Sequence, residues 1–256
     1  MASPDTAIRR VAFVTGASFG IGAASALALA RDGFDIAISA TRIANLDDTA
    51  GKLKQAGCRV AAIELDLCSQ KSIEDAFAAV TKSLGRVDVL VNNAGVNLRR
   101  NALEVTPAEW DAVMSANAGG TFFLTQQFGR HLVDAGRPGS VINIASVHGM
   151  LGSAERSTYG ISKAAILQMT RMLAIEWAAH GIRVNAVAPG RVNTPSPSRA
   201  ATTSDPKYMQ AMADRVPLRR LATAEDVAGA VSYLAGASGE FITGQTLVID
   251  GGLTVY

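Results

Sequence analysis

The chain of 256 residues has few of the residues from which disulfide frameworks and metal sites are built. Its two cysteines, Cys58 and Cys68, lie ten positions apart, and its three histidines are dispersed along the sequence. We therefore expect no zinc or other metal site. The cysteines are interpreted as two small thiols in or near the core, with a disulfide or redox pair as the alternative.

Long apolar runs and an excess of charge of one sign are also lacking. Residues 1–10 contain no apolar segment of the kind found in signal peptides, and no apolar run approaches the roughly 20 residues that a membrane span needs. Charged residues make up 18% of the chain and nearly cancel, leaving a formal net charge of +2. These features predict a soluble, cytoplasmic protein without a membrane or nucleic-acid partner.

Apolar segments of strand length alternate with segments of helical period through the whole chain. Most strand segments are rich in Val and Ile with little polar alternation, which is typical of strands covered on both faces. The alternation indicates an α/β protein, a doubly wound sheet of seven parallel strands with helices on both faces, in a single domain over residues 1–256. The predicted strands are Val11–Thr15, Asp35–Ser39, Arg59–Glu64, Val87–Val91, Ser140–Ile144, Arg183–Val187 and Thr246–Asp250. The predicted helices are Gly20–Asp32, Ala44–Ala56, Ser69–Leu84, Pro107–Phe128, Thr158–His180 and Thr223–Gly236.

One segment breaks this alternation. Five of the eight prolines lie between residues 189 and 217, among Ser, Thr and Arg. A long stretch with little regular structure inside a compact domain is more often functional than a linker. We therefore predict a substrate lid over about residues 190–217, with a plain surface excursion as the alternative.

Glycine is in surplus, with 24 residues in the chain, and part of the surplus follows the first strand directly. Gly16, Gly20 and Gly22 lie in a loop that opens into an Ala-rich helix. Glycine permits a tight turn and a close backbone approach to a pyrophosphate, and the helix N-terminus offers free N–H groups to the phosphates. The spacing differs from the usual Gly-x-Gly-x-x-Gly, and no Gly-Lys-Ser/Thr follows as in NTPases. The loop predicts a dinucleotide site, although glycine turns between strand and helix are also common without a ligand.

Several further motifs follow this loop in a recognisable order. They are Asn92-Asn93-Ala94-Gly95 after the fourth strand, Ser146 thirteen residues before Tyr159, Tyr159-x₃-Lys163, Pro189-Gly190, and Ile242-Thr243-Gly244-Gln245 with Asp250-Gly251-Gly252 near the end. Together with Asn117 they closely resemble the short-chain dehydrogenase/reductase family, over the chain from about Val11 to Gly252. The resemblance implies a Rossmann-type fold and an oxidoreductase that transfers a hydride between NADP(H) or NAD(H) and a carbonyl or secondary alcohol.

The resemblance also implies four catalytic residues. Tyr159 would be the general acid/base at the substrate oxygen, and Ser146 would donate a hydrogen bond to that oxygen. Lys163 would lower the pKa of Tyr159 and hold the nicotinamide ribose, and Asn117 would support Lys163 through a water. The spacing of Tyr159 and Lys163 places both on one helix face, which is equally compatible with a buried tyrosine beside a solvated lysine. A serine hydrolase is disfavoured, because no Gly-x-Ser-x-Gly elbow surrounds Ser146 and no helix is expected to begin there.

The same resemblance extends to the cofactor-binding residues, each of which has turn formation as a structural alternative. Asp66 and Leu67 would contact the adenine, residues 93–95 would line the adenosine ribose, and Val192 and Thr194 would hold the carboxamide. The full set comprises Gly16, Ser18, Phe19, Gly20, Ile21, Gly22, Thr41, Arg42, Asp66, Leu67, Asn93, Ala94, Gly95, Tyr159, Lys163, Pro189, Gly190, Val192 and Thr194.

The end of the second strand favours NADP(H) over NAD(H). Family members that prefer NAD usually place an Asp there, whereas this chain has Thr41 and Arg42, which suit a 2′-phosphate. Two observations leave NAD(H) open: Phe19 stands where many NADP enzymes have a basic residue, and Arg42 is also compatible with a solvated side chain.

The substrate is less closely defined by the sequence. Val96, Ser146, His148, Met150, Tyr159 and the lid should frame its pocket, and His148 is interpreted either as a contact for a polar substrate or as a turn residue. Arg99-Arg100 would attract an anionic substrate or an acyl-carrier protein, unless it is simply a solvated pair. The chain is similar to 3-oxoacyl-carrier-protein reductases, which makes a 3-oxoacyl thioester the first expectation, and to sugar-acid and polyol dehydrogenases such as gluconate 5-dehydrogenases. A nucleotide-sensing protein without catalysis is the remote alternative, and the family implies a homotetramer.

Overall fold

The computed structural model describes residues 9–194 and 205–255. The strands are β1 (Val11–Thr15), β2 (Asp35–Ala40), β3 (Val60–Glu64), β4 (Val89–Asn92), β5 (Gly139–Ile144), β6 (Ile182–Pro189) and β7 (Thr246–Ile249). All pair in parallel in one sheet of order β3-β2-β1-β4-β5-β6-β7. The predicted seven-stranded parallel sheet is confirmed. Its order reverses between β1 and β4, and ligands of such sheets bind beyond the carboxyl ends of the strands at this reversal.

Helices cover both faces of the sheet, as the sequence predicts. They are α1 (Gly20–Arg31), α2 (Asp47–Gln55), α3 (Gln70–Leu84), α4 (Pro107–Met114), α5 (Thr121–Asp134), α6 (Ser157–Trp177), α7 (Pro206–Ala213) and α8 (Ala224–Ala235). Side chains alternate along β1: Ala12 and Val14 pack with α1, α2 and α8, whereas Val11 and Phe13 pack with α3, α5 and α6. Both sets are fully buried, which explains the absence of polar alternation in the strand sequences.

The prediction of one helix over Pro107–Phe128 is wrong. The chain forms α4, then a π-helix over Ser115–Gly120, then α5, which continues to Asp134. Two features of the packing stabilise the wide turn: Asn117 is held by hydrogen bonds to Val96, and a Cβ at Gly120 would collide with the carbonyl oxygen of Leu67. A period of 3.6 residues fitted through this stretch cannot detect one wider turn.

The proline-rich segment has more regular structure than the sequence predicts. Residues 206–213 form α7, which begins with Pro206 in its first turn and Asp205 as its N-cap. At its start the segment is fixed by a parallel bridge between Val192 and Ala222. Residues 195–204 lie outside the described part of the chain, and the lid function of 190–217 stays a prediction.

Two expected absences can be examined in the described residues. Within 9–194 and 205–255, no helix combines the length and apolar character needed to cross a membrane. The same residues contain no group of three or more His, Cys, Asp or Glu side chains placed to hold a metal ion. Cys58 is buried and Cys68 is exposed, and each is a free thiol.

Candidate active site

The glycine loop after β1 has the geometry that a dinucleotide requires. Gly16 and Gly20 adopt φ values of +64° and +61°, a backbone conformation that L side chains rarely adopt. A Cβ at Gly16 would lie 2.8 Å from the Cα of Ala94, and one at Gly22 would lie 2.5 Å from Nδ2 of Asn93. These glycines therefore allow the loop to pack directly against the end of β4.

The N-terminus of α1 is left open toward a ligand. Its N-cap residue, Phe19, makes no side-chain cap hydrogen bond, and the first turn contains no acidic residue. The first N–H groups and the positive end of the helix dipole are thus available to an anion. Helix α8, by contrast, has a full capping box between Thr223 and Asp226. The open N-terminus and the glycine cradle fit the pyrophosphate of a dinucleotide.

A cleft of about 200 Å³ runs from this loop across the carboxyl ends of the strands. It brings together residues that are far apart in the sequence and that were singled out there. Its walls are formed by Ile21, Asn93, Gly95, Val96, Asn97, Ile144, Ala145, Ser146, Tyr159, Lys163, Pro189, Gly190, Val192 and Thr194. The catalytic candidates Ser146, Tyr159 and Lys163 therefore share one cleft with seven of the other predicted cofactor-binding residues.

Lys163 is the most strongly perturbed group of the cleft. Its side chain is almost completely buried, and its Nζ donates a hydrogen bond of 2.8 Å to the carbonyl oxygen of Ile144 at the end of β5. The Nζ lies 5.8 Å from the centre of the Tyr159 ring, as expected for two residues one turn apart on α6. Burial lowers the pKa of Lys163 to about 8. The lysine can therefore exchange a proton close to neutral pH.

Asn117 reaches the site from the π-helix. Its Oδ1 accepts a hydrogen bond from Val96 N (2.8 Å), and its Nδ2 donates to Val96 O (2.9 Å) and to Ser162 Oγ (3.0 Å). A Cβ on Gly95 would be 2.9 Å from Asn117 Oδ1 and 3.9 Å from Lys163 Nζ, so both side chains border this glycine. The asparagine thus joins the loop after β4 to the helix that carries Tyr159 and Lys163.

Residues 16–254 match the family model described as "Enoyl-(Acyl carrier protein) reductase". The chain belongs to the short-chain dehydrogenase/reductase family. A gluconate 5-dehydrogenase of Gluconobacter oxydans is 33% identical over 95% of this chain and 94% of its own length. The 3-oxoacyl-(acyl-carrier-protein) reductase FabG of Thermotoga maritima is 34% identical, over 96% and 98%. A crystal structure from Agrobacterium tumefaciens with bound NADP superimposes with a TM-score of 0.88 and 34% identity, covering 99% of this chain and all of that one.

Membership establishes the class of reaction. This short-chain dehydrogenase is an oxidoreductase that acts on an alcohol or carbonyl group of a small molecule with NAD(H) or NADP(H). The main and alternative expectations of the sequence, a 3-oxoacyl reductase and a sugar-acid dehydrogenase, are both represented among its relatives.

The remaining predicted cofactor residues follow the carboxyl ends of β1, β2, β3 and β4. Thr41 and Arg42 follow β2 with exposed side chains, and Phe19 is 46% exposed. Asp66 follows β3, and its Oδ1 accepts a hydrogen bond from Cys68 N (2.9 Å). Leu67 is buried against the π-helix at Gly120. Ser18 follows Ala17, whose N–H donates to Ser39 O (3.0 Å), so the loop is also attached to the end of β2.

The structure also identifies residues that sequence reasoning missed. One is Ile144, whose carbonyl oxygen accepts a hydrogen bond from Lys163, and the other is Ser162, whose hydroxyl accepts one from Asn117. Neither residue belongs to a sequence motif. Ser146 caps a single 3₁₀ turn over Val147–Gly149, which the sequence does not predict, and its Oγ accepts a hydrogen bond from His148 N (3.2 Å). The turn presents its serine differently from a nucleophile elbow, which leads into a full helix.

The loops on either side of the cleft entrance are linked to each other. Arg99 Nε donates to Glu155 Oε2 (2.6 Å), Arg100 N donates to Glu155 O (3.0 Å), and Arg156 donates to Asn97 Oδ1 (2.5 Å). Glu155 has a φ of +61°, a strained conformation for a side chain other than glycine. The Arg99-Arg100 pair is therefore engaged in ion pairs with Glu155 and Glu109.

Proposed function

We propose that Tyr159, Ser146, Lys163 and Asn117 carry the reaction of this short-chain dehydrogenase in the roles that the family implies. The observation that supports this is the convergence of Ser146, Tyr159 and a buried Lys163 in one cleft that is open toward the glycine loop. A nicotinamide dinucleotide, when bound, supplies or accepts the hydride. The phenolic oxygen of Tyr159 gives a proton to the carbonyl oxygen in reduction and takes it back in oxidation. Ser146 Oγ holds that oxygen by a hydrogen bond.

Lys163 and Asn117 act behind the tyrosine. The buried ammonium of Lys163 favours the charged form of a neighbouring phenol. Asn117 keeps the loop after β4 and α6 at a fixed separation, and we propose that it supports Lys163 through a water. The Tyr159→Phe variant should lose turnover by about 10²–10⁴-fold, the usual contribution of general acid/base catalysis, while binding NADPH as the wild type does. Unchanged turnover would falsify the role of Tyr159.

We further propose a preference for NADP(H). Thr41 and Arg42 stand where an acidic residue would repel a 2′-phosphate, and both are exposed beside the glycine loop. An arginine can bind the phosphate by paired hydrogen bonds. The test compares kcat/KM for NADPH and NADH on one accepted carbonyl, in the wild type and in Arg42→Ala. Arg42→Ala should lower the NADPH value and spare the NADH value, and an NADH advantage above about tenfold in the wild type would reverse the proposal.

Two substrate classes are compatible with the cleft and with the relatives. The first is a 3-oxoacyl thioester, free or linked to an acyl-carrier protein, as its resemblance to 3-oxoacyl reductases suggests. The second is a sugar acid or polyol. The unpaired side-chain nitrogen atoms of His148 and Arg191 near the cleft, described below, favour this class. Activity on a short 3-oxoacyl thioester, measured beside a panel of sugar acids and polyols, separates the two classes. Strong polyol or sugar-acid turnover without thioester turnover would exclude the first.

The assembly and location are proposed from the family alone. We propose a homotetramer in the cytoplasm, and exposed apolar side chains on α5 and α6, such as Phe122, Phe123 and Ile175, are consistent with a subunit interface. Light scattering of the purified protein would measure its mass in solution, and a monomer would exclude this assembly.

A further inference from the structure

Two buried side-chain nitrogen atoms near the cleft have no hydrogen-bond partner among the described residues. They are Nδ1 of His148 and Nε of Arg191. The only other buried side-chain atoms of this kind in 9–194 and 205–255 are the hydroxyls of Ser25 and Ser39. Buried polar groups are nearly always paired, because an unpaired one forfeits its hydration without compensation. Such atoms beside a reaction centre are candidates for pairing with a ligand.

His148 is held directly against the reacting residues. Its backbone N–H donates to Ser146 Oγ, and its ring meets the Tyr159 ring edge to face, with 6.1 Å between the ring centres. Its carbonyl packs on α6, because a Cβ at Gly160 would lie 2.8 Å from that oxygen. The imidazole therefore has a fixed position beside Ser146 and Tyr159.

Arg191 lies in the segment that follows β6 and borders the cleft. It follows Gly190 and precedes Val192, both of which line the cleft. Its carbonyl accepts from Ala222 N (2.9 Å), and its Nη1 contacts Met212 Sδ of α7 at 2.7 Å. Backbone and side chain are thus fixed at two points, while Nε remains unpaired.

The electrostatic environment of His148 is positive. Burial lowers its pKa most, and the positive charges of Arg156 and Arg191 lower it further. The imidazole is therefore neutral near pH 7, and the tautomer with hydrogen on Nδ1 can donate. His148 follows Ser146 and its ring contacts Tyr159, and Arg191 lies between Gly190 and Val192. Both unpaired donors therefore belong to segments that form the cleft, and the arginine adds a positive charge there.

We propose that His148 Nδ1 and Arg191 Nε form a subsite for a carboxylate of the substrate, beside the carbonyl oxygen held by Ser146 and Tyr159. The proposal rests on the proposed function and defines its substrate class further. A carboxylate accepts hydrogen bonds from both donors and neutralises the arginine. Of the two candidate classes, this selects the sugar acids and other oxo acids, because the thioester end of a 3-oxoacyl substrate is uncharged.

The test uses 3-oxobutanoate, 4-oxopentanoate and 5-oxohexanoate with NADPH, each compared with its methyl ester. In the wild type, kcat/KM for the best acid should exceed that for its ester by about tenfold or more, as expected for one charge-assisted hydrogen bond. Arg191→Met and His148→Leu should each bring this ratio close to one, because each lowers kcat/KM for the acid more than kcat/KM for its ester. His148→Asn, whose amide nitrogen replaces Nδ1, should keep most of the preference. Such rescue would not follow from a purely structural role.

Arg99→Met is the matched control, because it removes one positive charge from the cleft entrance without touching the subsite; its acid-to-ester ratio should equal that of the wild type. Equal wild-type kcat/KM for acids and esters, or an equal loss for both in Arg191→Met, would overturn the proposal.

Calorimetric Kd values of 4-oxopentanoate and its methyl ester for the enzyme–NADP⁺ complex give a readout without turnover. In one outcome the enzyme binds the acid more tightly than the ester, loses this difference in Arg191→Met, and yet reduces no carbonyl. That result would refute the proposed function but support the carboxylate subsite. No difference in binding would refute the subsite.

Discussion

The burial of Lys163 has a measurable effect on the stability of the free enzyme. The pKa of this lysine falls from an ordinary value of 10.5 to about 8 because its side chain is almost completely buried. At 1.36 kcal/mol per pH unit, this corresponds to about 3 kcal/mol of folding free energy that the charged form costs. We predict that Lys163→Met, which removes the buried charge, lacks this pH-dependent cost.

The direction follows from proton counting. Below pH 8 the lysine is protonated in both the folded and the unfolded chain, and the full cost is present. Between pH 8 and 10.5 the unfolded chain holds the proton and the folded chain has lost it, so the stability contributed by this site rises with pH by about 1.36 kcal/mol per unit. The stability of Lys163→Met relative to wild type should therefore fall by about 3 kcal/mol over this interval. The lost hydrogen bond to Ile144 adds an offset that does not change with pH.

Urea denaturation of the cofactor-free proteins, followed by circular dichroism at one protein concentration and at several pH values from 7 to 10.5, measures this difference. Lys54→Met, which removes an exposed lysine of α2, is the control and should follow the wild-type pH dependence. A difference between Lys163→Met and wild type that stays constant with pH would refute the reasoning, because it would mean that folding does not lower the pKa of this lysine.

Three further substitutions test other parts of the fold and site. Gly22→Ala places a Cβ against the glycine loop and should weaken NADPH binding about tenfold to a hundredfold in fluorescence titrations. The circular dichroism spectrum should not change, and wild-type affinity would contradict a role of the glycine loop in binding the dinucleotide. Asn143→Leu removes two buried hydrogen bonds, one from the Asn92 amide and one to the Thr170 hydroxyl, which keep only their bonds to Thr125 and Ile166. It should cost about 1–3 kcal/mol in urea denaturation, and unchanged stability would contradict this role of Asn143. Asp226→Ala breaks the capping box of α8 and should cost about 1 kcal/mol or less at pH 7. Hydrogen bonds from Arg220 and Thr223 lower the pKa of Asp226 to about 2, so this difference is complete above pH 3.8 and should shrink as the pH falls below that value.

Most of the fold could be predicted because its signals are local. Each strand is a short Val/Ile-rich run, and capping boxes mark the starts of α4 and α8 at Thr106 and Thr223. The candidate catalytic residues could be predicted because Tyr159 and Lys163 occur at helical spacing and in a familiar motif. Their convergence with Ser146 follows from a parallel sheet, whose strand ends meet at one edge.

The parts that could not be predicted depend on contacts distant in sequence or on the backbone. The wide turn around Asn117 is stabilised by Val96 and by the close approach of Gly120 to Leu67, and neither contact has a pattern in the sequence. The carbonyl of Ile144 is available to Lys163 only because β5 ends at that point. The unpaired Nε of Arg191 is evident only when all its neighbours are known.

The π-helix also determines which insertions and deletions the chain can tolerate. A π-turn holds one residue more than an α-turn, so deleting one residue within 115–120 would restore α-helical hydrogen bonding while the chain stayed continuous. Because the extra residue lies within one turn, α4 and α5 would keep their relative orientation, and the backbone of 115–120, which carries Asn117, would be rearranged. Such a length variant would remain compact and lose the hydrogen bonds between Asn117 and Val96. Length changes here would therefore affect the active site more than the fold, whereas substitutions in the buried face of α5 would do the reverse.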